Sequence, residues 1–266
     1  MSRKKKVNWI GEKLSEMLEE LEKLDWLMSG LQIGLIEISD PIQHFKKTFE
    51  KMGQKIDEPD KFVPLLKRKG FNTKNSKEIA KFLRGEVVTK FPFMYRVWTV
   101  MLWSILENYV RNFLIEWLKQ NPNAMRSESI QKIQIRLGEY EALLDDGKYE
   151  YIVEMIELQS KSKLGLGVGR FEPILEQFGL SGKVDDKTKK SILELQQVRH
   201  VLVHRNGIVD KRLAETCPWV VPEPGKTIFI DSEIYDMYFN AVMNYANEIA
   251  ERSHKKMYAS QKKNEK

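Results

Sequence analysis

Apolar positions recur at helical spacing along most of this chain. Between Trp9 and Met28, the residues Ile10, Leu14, Met17, Leu18, Leu21, Leu24 and Met28 fall three and four apart, the period of a helix with one buried stripe. Asp40 before Pro41 reads as a cap followed by a first-turn proline, opening a second helix through about Met52. Asp57-Glu58-Pro59-Asp60 is a turn. Short helices are expected over residues 61–67 and 76–83, with Gly70 and Gly85 as punctuation. Beyond Pro92 the apolar coverage widens. Residues 94–119 carry Trp98, Met101, Leu102, Ile105, Tyr109, Phe113 and Trp117, so this helix is expected at the centre of the fold, ending at Asn121-Pro122.

Further helices are expected over residues 127–144, 149–160 and 171–178, with Asp145-Asp146-Gly147 as a turn and Gly179 as a stop. Gly165, Gly167 and Gly169 mark a flexible loop. Asp185-Asp186 caps the next helix, which runs to about His204. Pro218, Pro222 and Pro224 then bracket two short extended pieces, and Lys226-Thr227-Ile228-Phe229-Ile230 has the content of a strand. Asp231 caps a last helix through about Arg252. The map is all-α, a helical bundle with a small β-hairpin before the last helix. It divides into an N-terminal helical extension (1–90), the bundle (91–253) and a basic, disordered tail (254–266).

Composition changes the picture only a little. The single cysteine, Cys217, excludes a disulfide framework and a cysteine-based zinc motif. No apolar signal core follows Met-Ser-Arg-Lys-Lys-Lys, and the longest apolar run, Val97 to Leu106, is too short to span a bilayer. The expected location is therefore the cytoplasm, without membrane contact. A formal charge of +6 is compatible with a polyanion partner. The basic residues cluster at Lys67, Arg68, Lys69, Lys74, Lys77, Lys81, Arg84 and Lys90, opposed locally by Glu78 and Glu86 alone. Lys67, Arg68 and Lys69 are candidate RNA contacts on that ground.

Candidate chemistry is concentrated in Arg199-His200-Val201-Leu202-Val203-His204, followed by Arg205-Asn206-Gly207. An arginine holds phosphate in a bidentate fork, and a histidine titrates near neutrality and moves a proton. On a regular helix Leu195, Val198 and Leu202 share the core side, Arg199 borders it, and His200 and His204 share another face. Val201, Val203, Ile208 and Val209 leave the last turn apolar nearly all round. Such a turn is expected to be covered twice, by a second protomer or by another helix of the same chain.

The Arg-x4-His spacing resembles the signature of the HEPN superfamily, with His200 as the polar residue after the arginine. The resemblance covers residues 93–252, about three-fifths of the chain. It extends to the acidic residue within the apolar run Ser104-Ile105-Leu106-Glu107-Asn108-Tyr109, to Phe178-Gly179-Leu180, and to Gly207-Ile208-Val209-Asp210 followed by Gly225-Lys226. It implies a homodimer whose paired Arg and His residues line one cleft. It also implies a metal-independent endoribonuclease without cofactor, at work in toxin–antitoxin or antiphage defence, with an antitoxin or regulatory protein as a further partner. Arg199 and His204 would be catalytic, with His200, Asn206 and Glu107 supporting them and Glu107 a partner for Arg199. Arg205 is a further candidate RNA contact.

Plainer readings stand beside this one. Arg199 is also what a helix C-terminus favours electrostatically. His200 and His204 alone do not make a zinc site, which needs a third ligand. Gly165-x-Gly-x-Gly169 lacks the strand and the Gly-Lys-Ser/Thr of a phosphate loop. A HEPN-like module that binds RNA or a nucleotide without cutting, and a helical interaction protein using the basic stretch, both remain open.

Overall fold

The computed structural model describes residues 5–39, 76–160, 164–220 and 223–263. The expected helix from Pro41, the turn at 57–60, the helix at 61–67 and the basic residues Lys67, Arg68 and Lys69 lie outside the described residues. Ten α-helices are present among the described residues: α1 (Lys5–Ser39), α2 (Ser76–Val88), α3 (Pro92–Gln120), α4 (Glu128–Gln131), α5 (Leu137–Glu141), α6 (Asp145–Ser160), α7 (Glu172–Gln177), α8 (Asp186–His204), α9 (Lys211–Thr216) and α10 (Ser232–Lys263). Short 3-10 turns cover Pro122–Arg126 and Gly167–Arg170. The fold is all-α.

The chain forms two compact units, one of residues 1–21 with 98–266 and one of residues 22–97. The division expected at residue 90 is thus not where the units part. The reason is aromatic packing: the Trp9 ring lies 5.2 Å from Phe113 and 6.0 Å from Trp117, so the start of α1 is core material of the bundle.

In the unit of residues 22–97, Leu24, Met28, Met94 and Tyr95 are buried. Lys90 and Phe91 both adopt a left-handed backbone, each with φ 62°. The turn they make returns the start of α3 to Glu86. The buried Glu86 carboxylate accepts from the Phe93 and Met94 backbone N–H groups at 3.0 and 3.4 Å, meeting donors that a helix start leaves unpaired.

In the larger unit α3 is central, with Leu102, Leu106, Phe113, Leu114 and Leu118 fully buried. The Tyr109 hydroxyl donates to the Ala246 carbonyl of α10 at 3.1 Å. Phe171 bridges Trp103 and Tyr245, at 5.6 and 6.0 Å between ring centroids. α8 packs along α10, and the 3-10 turn Gly167–Arg170 lies against α8. That glycine segment is therefore docked structure and not the flexible loop expected.

Three further expectations are corrected. Residues 127–144 hold only α4 and α5, because side chains of α6 take the intervening backbone. Gln159 accepts from Gln134 N and donates to Gln134 O, and the Tyr151 hydroxyl accepts from Arg136 N. The hairpin reduces to one antiparallel bridge, Ile208 with Thr227, among the described residues. The bridge is short because the chain leaves α8 through a left-handed turn and enters α9 at Lys211. Finally, the tail expected from His254 is helical to Lys263. Ser253 and Met257 continue the buried stripe of Ile249 and Ala250, and Lys256 Nζ donates to the Phe178 carbonyl.

Candidate functional site

The site is the last turn of α8, and the rest of that helix holds it in place. Asp185 caps the start, its carboxylate accepting from Thr188 N at 2.9 Å, and hydrogen bonding from the Thr188 side chain and then its backbone keeps the acid below its usual range. Ile192, Leu195, Val198 and Val201 fill the core side. One turn before the site, Glu194 is buried and accepts from the Trp219 indole at 2.6 Å and the Tyr238 hydroxyl at 2.8 Å. This ties α8 both to α10 and to the segment after α9. Burial, with the Glu194 charge beside it, pushes the Tyr238 phenol far above its ordinary range.

On the opposite side, Gly167 N donates to Gln196 Oε1 at 2.7 Å. The helix then stops abruptly. The Arg205 and Gly207 N–H groups both reach the Val201 carbonyl, at 2.9 and 3.0 Å, across a left-handed Asn206 and Gly207. Asparagine and glycine are the residues that enter this region most readily.

Arg199 is half-buried, and its Nε is fully buried with no hydrogen-bond partner among the described residues. His200 is half-buried and His204 exposed, their ring centroids 4.7 Å apart. Burial lowers the His200 pKa below its ordinary value, and the charges of Arg212, His204 and Arg199 lower it further, against Asp210, which raises it. Arg199 and His204 thus both act electrostatically on His200. Arg212 and Asp210 join them.

Asp210 also caps α9, accepting from Leu213 N at 2.9 Å, and lies 3.9 Å from the exposed Arg205. Sequence reading missed Arg212 and Asp210 as site residues. The available signal was Asp210-Lys211-Arg212-Leu213, a cap and an apolar anchor that return the chain onto the end of α8.

Glu107 goes elsewhere. Its carboxylate pairs with Arg170 at 2.9 Å, beside an Arg111–Glu157 pair at 3.6 Å in which burial pushes the Glu157 carboxyl up. Its expected partnership with Arg199 gives way to this ion pair because the turn Gly167–Arg170 delivers the nearer guanidinium. Asn206 and Arg205 flank the site at the helix end. Val203 and Ile208 remain exposed, so none of the described helices supplies the second cover expected for this turn.

Among the described residues, no three His, Cys, Asp or Glu side chains are grouped to hold a metal ion, and no helix is long and apolar enough to cross a membrane. No family model matches this chain, and comparison with curated proteins and with solved structures gives no match.

Proposed function

We propose that this protein is a metal-independent endoribonuclease of the HEPN type, acting as a homodimer in the cytoplasm in a toxin–antitoxin or antiphage setting. The observation that carries the reading is the placement of Arg199, His200 and His204 together in the last turns of a helix fixed on both sides. A half-buried guanidinium offers its outer nitrogens to a phosphate as a bidentate fork.

In this reading an imidazole takes the proton of the RNA 2′-OH. The 2′-oxygen bonds to phosphorus, the P–O5′ bond breaks, and a proton passes to the leaving 5′-oxygen. The products are a 2′,3′-cyclic phosphate and a 5′-hydroxyl. Arg199 neutralises charge building on the non-bridging oxygens. In-line displacement puts the attacking and leaving oxygens on opposite sides of phosphorus. Rings only 4.7 Å apart share one side, so the second proton carrier comes from outside this pair, and His204 of a second copy is the economical source. The exposed Val203 and Ile208 offer apolar surface for that copy.

The test is cleavage of total cellular RNA in excess EDTA. Wild type should leave cyclic-phosphate ends, while Arg199→Ala and His204→Ala, both folded, should not. RNA binding without products would replace the enzyme by a binding module. Equal cleavage by all three proteins would remove Arg199 and His204 from the chemistry.

A further inference from the structure

The bridge beside the site presents one aromatic ring to solvent. Ile208 pairs antiparallel with Thr227, and three backbone hydrogen bonds fix the register: Val209 N to Lys226 O at 2.8 Å, Ile228 N to Gly207 O at 2.8 Å and Gly225 N to Val209 O at 2.9 Å. Phe229 follows Ile228, whose N–H reaches the carbonyl of Gly207, three residues beyond His204. Side chains alternate along an extended segment. Ile228 and Ile230 are buried, so Phe229 is turned outward, and it is 55 % exposed. Its ring makes no aromatic contact among the described residues. Lys226, three positions before it, and Arg205, at the end of α8, are exposed cations of this region, and Asp231 follows two positions after it.

An outward ring held by a buried residue on either side offers a fixed, flat apolar face to a ligand. Beside a phosphate-handling Arg and His, the cover with matching chemistry is a nucleobase. Single-stranded RNA is gripped by stacking unpaired bases on exposed aromatic rings next to cations that track the backbone. We propose that Phe229 is a base-stacking residue of this protein, holding the base beside the phosphate on which Arg199 acts. The inference rests on the ribonuclease reading and extends it: the substrate is single-stranded at the point of attack, because a paired base cannot reach the ring. Stacking is tolerant of base identity, so Phe229 contributes affinity and register more than sequence preference.

The experiment uses the full chain carrying His204→Ala and a fluorescent single-stranded oligoribonucleotide. Adding Phe229→Ala should weaken binding by about tenfold. Phe229→Trp should retain it and show fluorescence quenching on RNA addition beyond that of the Phe229 protein. In the active background, Phe229→Ala should raise KM for cleavage and leave kcat near the wild-type value. Light scattering should give Phe229→Ala the same mass as the parent. Unchanged binding and cleavage in Phe229→Ala would overturn the stacking role while leaving the ribonuclease reading intact. A fall in mass would overturn it by making the ring a contact between copies of the chain. Absence of both binding and cleavage in the wild type would remove the ribonuclease reading and this subsite together.

Discussion

Gly167 sits directly against Leu193. A Cβ on the glycine would lie 2.9 Å from the Leu193 Cα, and Gly167 already has φ +60°. Because Leu193 and His200 are seven apart on α8, the turn Gly167–Arg170 covers the ridge that leads, two helical turns on, to the site. A side chain here must both enter the left-handed region and push the turn off the helix. Gly167→Ala is expected to cost about 2 kcal/mol or more in denaturant unfolding. A variant as stable as the parent would mean that the turn does not bear on α8.

His200 makes the protein acid-sensitive. Its folded pKa lies below its unfolded value, so the folded state prefers the neutral ring. Stability from this group is present above the unfolded pKa, near 6.5, and is lost as pH falls from there through the lower folded pKa. His200→Gln should lose less stability than wild type between pH 7.5 and pH 5 in parallel melts. The same loss in both proteins would place the acid sensitivity in other groups.

Glu194 is a buried carboxylate meeting two donors, the indole of the partly exposed Trp219 and the hydroxyl of the buried Tyr238. Glu194→Ala strands both and opens a cavity, with an expected cost of about 3 kcal/mol or more. Tyr238→Phe alone should cost about 1 kcal/mol, and the two together less than the sum of the singles. Strict additivity would show that the two side chains do not act as a pair.

Glu107 separates two pictures of the Arg-x4-His helix. Its half-exposed pair with Arg170 is worth about 0–1 kcal/mol, and it does not brace Arg199. Glu107→Gln should therefore cleave RNA close to the wild-type rate, in contrast to His204→Ala. A loss as deep as that of His204→Ala would return Glu107 to the catalytic group.

What could be read from the sequence was what neighbours in the chain decide. The long helices follow from apolar period, and Asp185, Asp210 and Asp231 each cap the helix that follows. The Arg199, His200 and His204 grouping was legible because one helix carries all three. What escaped was decided by contacts far apart in sequence. Gln159 and Tyr151 capture the backbone of residues 134 and 136 and break a helix that local preference would continue. Arg170 claims Glu107 across 63 positions, and the choice between two arginines for one carboxylate is not written in any periodicity. The effect of Arg212 on His200 is likewise set by how α9 folds back.

The last turns of α10 bear on how the protein can be handled at the bench. Lys256 donates to the Phe178 carbonyl and occupies the space over Gly179, which has φ +62° and no side chain of its own. A shortened gene ending after Ser253 would keep every residue of the Arg-x4-His apparatus and still remove the plug over α7. Any purification handle or fusion partner joined to a trimmed chain belongs after Met257, and a protein cut earlier should be digested by protease first between α7 and α8.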